Sequence, residues 1–284
     1  MRVIDGGEWL AVTGGVDTHR SSSAVLGLVA AAHIGPALAV TTLSGLLAAA
    51  QGLDPGLAAL VVSGVLAGQL SIGWSNDLID LSRDRSTHRT DKPLVAGAVS
   101  VQVVRAACGV AVLVSVVLSL ACGIVAGLVH LTCVAAGWAY NLGLKATPWS
   151  WLPYAVAFGC LPAFVALAGD APPPWWWPVG GALLGVGAHL LNVLPDLEDD
   201  AATGVRGLPH RLGVRWIAPV ATAVLVTATA VVLFGGSPPL PVATAAALLV
   251  AALATVVICS SGRGPFLAAI GIALVDAVIL VSAR

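Results

Sequence analysis

Long runs of apolar residues, each about as long as a membrane-spanning helix, alternate with short polar segments along most of the chain. One stretch, 100–143, would be about 66 Å long as a single helix at ~1.5 Å per residue, about twice the hydrocarbon thickness of a bilayer. It must therefore fold back, and we predict the turn at Cys122 and Gly123. Nine spans are predicted: 24–50, 55–75, 99–121, 123–141, 149–169, 175–195, 214–234, 238–260 and 264–282.

The composition excludes an ordinary soluble domain. Hydrophobic residues make up 58% of the chain and charged residues only 10%, whereas soluble domains carry about 25% charged residues. The chain is therefore predicted to be an all-α, polytopic membrane protein with about nine transmembrane helices. Residues 1–23 are predicted to form a cytoplasmic N-terminal tail, and residues 24–284 a single transmembrane domain.

Positive charges are distributed unevenly between the two sides of the predicted membrane protein. With nine spans, the N-terminal tail and the loops after spans two, four, six and eight share one side, which holds 12 of the 13 Lys and Arg residues. The other side holds only Arg284. Because basic loops stay in the cytoplasm, we predict a multi-pass protein of the plasma membrane with its N-terminus cytoplasmic and its C-terminus outside.

A first acidic segment follows the second apolar run. Asn76, Asp80 and Asp84 recur every four residues, so a helix would place them on one face, with Asp77 one position round. Carboxylates ~4 Å apart repel by roughly 4 kcal/mol at an effective dielectric of ~20. Oxygen ligands of this kind favour a hard cation such as Mg²⁺. The alternative interpretation is a solvated acidic helix end without a ligand.

A second acidic segment, 196–200, repeats the pattern after the sixth run. Asn192, Asp196 and Asp200 have the same spacing as the first set, and Pro195 is expected to break the helix between them. Irregular backbone at membrane depth is tolerated where it lines a cavity or is buried in protein. Both segments end runs on the predicted cytoplasmic side. We therefore predict that they face each other across a central cavity that opens to the cytoplasm, with two or more Mg²⁺ ions between them.

Basic residues follow each acidic segment, and Lys145 lies on a loop between them. Carboxylates with metal ions, basic side chains and an apolar bundle together suit a diphosphate carried on a lipid-soluble tail. The tendency of cytoplasmic loops to be basic is enough to explain most of the individual arginines. We do not apply that explanation to Lys145 or Arg211. The full basic set is Arg83, Arg85, Arg89, Lys92, Lys145, Arg206, Arg211 and Arg215.

These motifs resemble those of the UbiA superfamily of intramembrane prenyltransferases. The signature N-D-x-x-D-x-x-x-D stands at 76–84, R-T-x-[KR]-P-L-x-x-G at 89–97, the Tyr-to-Lys loop at 140–145, and D-x-x-x-D with its trailing G-x-x-x-L-P-x-R-L-G at 196–213. The resemblance covers nearly the whole chain. Two positions depart from it, because Asn192 stands where many members have Asp and Lys92 where Arg is frequent.

The resemblance implies that the protein uses Mg²⁺ to ionise an allylic isoprenyl diphosphate and transfers the prenyl group to a small aromatic or other lipid-quinone-type acceptor. It implies catalytic roles for the motif acids, of which Asp77 would orient the acceptor or a base. Direct or water-mediated metal ligands would be Asn76, Asp80, Asp84, Asn192, Asp196 and Asp200. Diphosphate contacts would be Arg83, Lys145 and Arg211, while Tyr140 would either bind phosphate or anchor the helix at the interface.

Two other functions stay open. A cyclase of the same fold would ionise the same diphosphate and fold the cation onto its own tail. A transporter would use the acids as a cation path, but the carboxylates crowd one side instead of forming a relay through the membrane. No nucleic-acid partner is expected. For two further polar residues within the spans, His189 and Asp276, a structural role is favoured over a functional one.

Overall fold

The computed structural model describes residues 24–282, with side-chain surroundings through residue 279. All regular secondary structure in this range is helical, so the predicted all-α class is confirmed for the described part of the chain. The predicted tail 1–23 and the last two residues lie outside the described residues. The helices are α1 (24–31), α2 (Ile34–Gln51), α3 (Pro55–Ser86), α4 (Val101–Ala121), α5 (Ile124–Leu142), α6 (Leu152–Ala168), α7 (Trp176–Asn192), α8 (Leu197–Ala202), α9 (Leu208–Leu212), α10 (Val214–Gly236), α11 (Leu240–Cys259) and α12 (Gly264–Ser282).

Seven of the described helical segments are long and apolar enough to cross a membrane. They are α2, α3, α4, α5, the segment from α7 through α8, α10 and α11. Two further helices, α6 and the 264–279 part of α12, are apolar but shorter. Each predicted span after the first coincides with one of these nine segments. A polytopic membrane protein requires this pattern of apolar helices joined by short loops.

Two predicted spans differ from the helices that form. The first span is interrupted at Ala32 and His33, where His33 adopts a left-handed backbone with φ 51°, so α1 and α2 are separate helices. The second span is longer than predicted, because α3 has 32 residues and carries the whole first acidic segment. The turn predicted within 100–143 is confirmed at Cys122 and Gly123.

Neighbouring helices in the chain pack side by side, and α12 returns to pack against α2, so the bundle closes on itself. Glycine allows close backbone approach at several crossings, as small residues do in membrane helix interfaces. A Cβ atom on Gly73 of α3 would overlap the carbonyl oxygen of Ala32, and one on Gly185 of α7 would overlap that of Tyr154. These contacts fix where α3 meets the α1–α2 break and where α7 meets α6.

The chain between α7 and α10 is irregular and shapes one end of the bundle. Helix α7 ends at Asn192, and a 3₁₀ turn at Leu194–Asp196 follows before the short helix α8. Pro195 lies within that turn and has no amide hydrogen to continue α7. The predicted break is therefore present, and Asn192, Asp196 and Asp200 do not form a continuous helical ladder like that of α3.

Candidate functional site

Asp80 lies at the centre of a polar cluster at one end of the bundle, and its side chain is only 7% exposed. Lys145, from the α5–α6 loop, places its Nζ 2.5 Å from Oδ1 and 2.6 Å from Oδ2. Arg83 Nη2 and Asn76 Nδ2 donate to Oδ2 at 2.9 Å and 3.2 Å. Burial lowers the pKa of the Lys145 ammonium from its usual value, and the carboxylate of Asp80 opposes that shift.

Arg83 connects the two acidic segments. Besides its hydrogen bond to Asp80, its guanidinium lies 3.7 Å from Asp84 Oδ1 and 4.0 Å from Asp200 Oδ1. Asp84 is buried on α3, and Asp200 lies on α8 with its side chain 21% exposed. The structure therefore brings acids of both predicted motifs to a single guanidinium group, although 116 residues separate Asp84 from Asp200.

Arg89 makes a second connection, nearer the surface. It donates to both Asp91 oxygens at 2.9 Å and lies 3.3 Å from Asp196 and 3.5 Å from Asp199. The hydrogen bonds that Arg89 donates to Asp91 raise the pKa of Arg89 well above its usual value and lower the pKa of Asp91. The side chains of Asp196 and Asp199 remain 50% and 62% exposed. The loop after α3 and the irregular segment after α7 thus meet at this end of the bundle.

Asp77 points to a different set of partners than Asp80. Its Oδ1 lies 2.9 Å from His33 Nε2 and 2.8 Å from Lys92 Nζ, and its side chain is 1% exposed. Its Oδ2 is buried with no hydrogen-bond partner within the described chain. Within one turn of α3, Asp80 therefore contacts Lys145 and Arg83, whereas Asp77 contacts Lys92 and the α1–α2 break.

The ion-pair network of the site has an excess of negative charge. Seven carboxylates take part in ion pairs of 4.0 Å or less with only four Lys and Arg side chains. With His33 neutral, the formal balance is −3. Across residues 24–282, no three His, Cys, Asp or Glu side chains converge closely enough to bind a metal by themselves. Basic side chains hold the carboxylates instead, and the charge excess leaves room for additional cations.

Of the amide and aromatic residues of the predicted site, Asn76 and Tyr140 lie near Asp80, whereas Asn192 contacts α6. Asn76 donates to Asn141 Oδ1 at 3.2 Å, and Asn192 donates to the Tyr154 hydroxyl at 3.2 Å. Tyr140 packs edge-on against Tyr154, with ring centroids 5.2 Å apart, and is close enough to Asp80 and Asp200 to interact with them electrostatically. Tyr140 therefore lies within the site, and Asn192 is turned toward α6.

Like Asn192, Arg211 is a predicted site residue that makes no contact with the acids in the described part of the chain. It lies on the short helix α9 with an exposed side chain, and it makes no ion pair or side-chain hydrogen bond with any residue of 24–282. Its proposed contact with a diphosphate stays a prediction.

Two polar residues assigned structural roles are buried away from the ion pairs. His189 Nε2 lies 2.9 Å from the Ser150 hydroxyl, which in turn accepts from the Leu208 amide at 2.8 Å. These bonds attach the α5–α6 loop to α7 and α9. Asp276 on α12 is 1% exposed, and no hydrogen bond of standard geometry reaches either oxygen from the described chain, although Thr229 is nearby.

Several contact residues were not identified from the sequence. His33 contacts Asp77, Asn141 contacts Asn76, and Asp199 contacts Arg89. The one available signal for His33 was a polar ring inside an apolar run just before Gly35 and a proline. Asn141 directly follows Tyr140 in the Tyr-to-Lys loop, so it could have been considered with that motif.

Two surface grooves lie outside this cluster. One, of about 540 Å³, is apolar and lies between α5, α6 and α7; the other, of about 460 Å³, lies beside α8 and α9. None of the predicted site residues lines either groove. Neither groove lies between the two acidic segments. The segments contact each other through the ion pairs of Arg83 and Arg89.

Solved structures with the same fold include several UbiA homologues. A homologue from Archaeoglobus fulgidus bound to GPP and Mg²⁺ has a TM-score of 0.69 and 16% identity, over 90% of this chain and 98% of that one. The apo homologue from Aeropyrum pernix K1 has a TM-score of 0.71 and 19% identity, over 88% and 97%. A digeranylgeranylglyceryl phosphate synthase has a TM-score of 0.64 and 17% identity, over 93% and 99%. At these identities the likeness establishes the fold.

A comparison with the curated proteins gives no significant match. The sequence profile described as "UbiA prenyltransferase family", however, matches residues 37–279. That range runs from the start of α2 to the last part of α12 and contains both acidic segments and every helix between them. The chain therefore belongs to the UbiA prenyltransferase family.

Proposed function

We propose that this protein is a Mg²⁺-dependent intramembrane prenyltransferase that ionises an allylic isoprenyl diphosphate and transfers the prenyl group to an aromatic or other lipid-quinone-type acceptor. Family membership supports the reaction class. The homologues of the same fold that bind GPP or DMAPP together with Mg²⁺ support the substrate and the ion. The observation that carries the proposal is the meeting of both acidic segments at Arg83.

The residues present fit magnesium. The candidate donors are oxygen atoms only, which Mg²⁺ prefers, and the network lacks three positive charges for neutrality. Bound Mg²⁺ would stabilise the negative charge of the departing diphosphate. We propose the following oxygen donors, directly or through water: Asn76, Asp80, Asp84, Asn192, Asp196 and Asp200.

The basic residues are placed to exchange partners when substrate binds. Lys145 and Arg83 now hold Asp80, so a metal ion on that carboxylate would free their donors for phosphate oxygens. Such bonds hold the diphosphate while its C–O bond breaks. Arg211, exposed on α9, is proposed as a third contact that approaches from the surface. Asp77 does not share this cluster, and we assign it to the acceptor side.

A row of three aromatic rings is suited to the organic part of the substrate. The row consists of Tyr140 on α5 and Tyr154 and Phe158 on α6. Tyr154 packs edge-on against Tyr140 and is stacked with Phe158, with 9° between the ring planes. Aromatic faces stabilise cations within about 6 Å. We propose that these rings border the allylic cation and exclude water from it, so that the acceptor captures the prenyl group first.

We propose that the chain spans the plasma membrane nine times, with its cavity open to the cytoplasm, the tail 1–23 inside and the C-terminus outside. Contacts of Arg89 and Lys145 place the loops after α3 and α5 at the same end as the irregular segment after α7. All ten Lys and Arg residues of the described chain lie in, or within about two turns of, these loops and the α11–α12 loop. Such a distribution marks the cytoplasmic side.

The function can be tested by product analysis. Purified protein is incubated with Mg²⁺ and a panel of C10 to C20 allylic diphosphates, with and without hydroxybenzoate, dihydroxynaphthoate or homogentisate. We expect diphosphate release and a prenylated aromatic product that requires both substrates and is lost with EDTA. A terpenoid product formed from the diphosphate alone would assign the protein to the cyclase alternative, and no diphosphate release under any condition would contradict the proposal.

A further inference from the structure

His33 adopts an unusual backbone conformation beside the site. Its φ of 51° places it in the left-handed region, which non-glycine residues rarely occupy and which favours Asn, Asp and His among them. Its carbonyl oxygen still accepts from the Ala37 amide at 3.3 Å, so α2 begins directly after it. Backbone outliers of this kind persist where the surrounding structure holds them, often at functional positions.

The break directs the His33 ring toward a buried carboxylate. His33 Nε2 lies 2.9 Å from Asp77 Oδ1, and Lys92 Nζ lies 2.8 Å from the same oxygen and 3.2 Å from Nε2. An ammonium cannot accept a hydrogen bond, and a carboxylate cannot donate one. The bond between His33 and Asp77 therefore requires a hydrogen on Nε2, and in the neutral ring this leaves Nδ1 as an acceptor.

The other ring nitrogen is unpaired in the described chain. Nδ1 has no hydrogen-bond partner within the described chain, and the His33 side chain is 41% exposed. Asp77 directly follows Asn76 on α3, and Lys92 also interacts electrostatically with Asp84. The histidine thus stands at the edge of the proposed ionisation site, with one nitrogen oriented by a carboxylate and the other without a partner in the described chain.

We infer that His33 is the general base of the transfer reaction, oriented by Asp77, and that its Nδ1 removes the proton which the acceptor loses. The inference rests on the proposed function. In the reaction, the allylic C–O bond breaks and its electron pair leaves with the diphosphate. A ring carbon of the acceptor then bonds to the allylic carbon. The C–H bond at that ring carbon breaks, its electrons restore aromaticity, and the proton passes to His33 Nδ1 and afterwards to water.

The charges around the ring suit this role. Within the described chain, the charged groups in contact with His33 are Asp77 from α3 and Lys92 from the α3–α4 loop, with Asp84 behind Lys92. Asp77 stabilises the imidazolium that forms when the proton is transferred. Before that transfer, Lys92 balances the negative charge of Asp77. His33 therefore differs from the phosphate-binding residues, because its role begins only after the diphosphate has left.

The test uses full-length protein and the variant His33→Asn. Asn tolerates the left-handed backbone and can donate to Asp77, but its amide is not a base at neutral pH. His88→Asn is the matched control, since His88 has φ 56° and an exposed side chain without a hydrogen-bond partner in the described range. We expect His33→Asn to lower the rate of product formation by about 100-fold or more, in line with loss of a general base. His88→Asn should retain the wild-type rate.

Two further readouts separate a base from a structural residue. Diphosphate release by His33→Asn in the absence of acceptor should stay near the wild-type rate, because ionisation precedes deprotonation. With an aromatic acceptor deuterated on the ring, the variant should show a primary isotope effect larger than that of the wild type. The variant His33→Gly, which also suits the left-handed backbone, should regain product formation when imidazole is added.

The outcomes distinguish this inference from the proposed function. Failure of the wild type to release diphosphate or to prenylate any aromatic acceptor would overturn both. If the wild type is active and His33→Asn forms product at the wild-type rate, only the role of His33 is overturned. Equal losses of diphosphate release and product formation, without an isotope effect or imidazole rescue, would also overturn it and would identify His33 as a structural residue.

Discussion

The ammonium of Lys145 lies within 2.6 Å of both carboxylate oxygens of Asp80, so the α5–α6 loop is attached to α3 at the middle of the first acidic motif. The two side chains are 11% and 7% exposed. A charge pair with so little solvent interacts strongly but also carries a desolvation cost. This cost is consistent with a pair that can separate when a metal ion and a diphosphate arrive.

Lys145→Met should weaken substrate binding. Asp80 would lose its closest cation but keep Arg83 and Asn76, so we expect a stability loss of about 1–3 kcal/mol, smaller than for a completely unpaired buried charge. Affinity for a non-ionisable geranyl diphosphate analogue should fall about tenfold or more, equivalent to ~1.4 kcal/mol. Thermal unfolding in detergent and calorimetric titration would measure the two effects. Lys145→Arg serves as the charge-preserving control, and unchanged affinity in Lys145→Met would remove Lys145 from the diphosphate site.

Gly73→Ala should destabilise the bundle. The new Cβ would overlap the Ala32 carbonyl where α3 crosses the α1–α2 break, and overpacking of a tight contact costs about 1–3 kcal/mol. Gly109→Ala is the matched control, because its Cβ on the exposed face of α4 would meet no atom within 4 Å. That control should be neutral or stabilising by up to ~1 kcal/mol. Equal melting temperatures for the two variants in detergent would show that α3 and the break are not in close contact.

Asn141→Leu should disturb the site without removing a residue of either acidic motif. Asn141 is buried, donates to the Ile72 carbonyl and the Ser75 hydroxyl at 2.9 Å and 2.8 Å, and accepts from Asn76. Leu has similar volume but leaves these groups without partners, at a cost of about 1–3 kcal/mol. We expect lower thermal stability and a reduced rate of diphosphate release. Thr132→Val, on the exposed face of the same helix, should change neither quantity.

The membrane arrangement can be tested with single cysteines in a protein whose five native cysteines have been replaced. Arg85 is exposed in the last turn of α3, Arg206 is exposed in the loop between α8 and α9, and Ser237 is exposed after α10. An impermeant thiol reagent applied to intact cells should label a cysteine at position 237 but not at 85 or 206. Inverted membranes should give the opposite pattern. Labelling of positions 85 and 206 from different sides would contradict a single cytoplasmic site.

The helices and the first acidic ladder could be predicted because they follow from local rules. Apolar runs of membrane length specify spans, and positions 76, 80 and 84 share a face in any regular helix. The break at Ala32 and His33 has a local signal that we did not use, because Pro36 cannot donate to the carbonyl of Ala32, four residues earlier, and its ring crowds that carbonyl. The partners of the His33 ring could not be predicted from local rules, because Asp77 and Lys92 are 44 and 59 residues away.

The second ladder shows the limit of the same reasoning. Its residue spacing equals that of the first ladder, but Pro195 changes the backbone, so Asn192 turns to Tyr154 while Asp196 turns to Arg89. The choice of ion-pair partners was also beyond sequence patterns. Arg83 and Arg89 lie in one basic run, yet Arg83 pairs with Asp200 and Arg89 pairs with Asp196. The pairing depends on how the end of α3 and the loop after it pack against the irregular segment after α7.

The most direct test of the two-motif site measures diphosphate release from geranyl diphosphate as a function of Mg²⁺ in Asp80→Asn, Asp196→Asn and the control Asp199→Asn. Asp196 is half exposed, so its variant should keep wild-type stability within about 0.5 kcal/mol. Asp199 also contacts Arg89, but it occupies a position that the D-x-x-x-D motif leaves unspecified. We expect both motif variants to lose release by about 100-fold or more at every Mg²⁺ concentration, as for loss of strong electrostatic stabilisation, while Asp199→Asn keeps most activity. Mg²⁺-dependent release at the wild-type rate in a folded Asp80→Asn or Asp196→Asn protein would contradict a shared metal site.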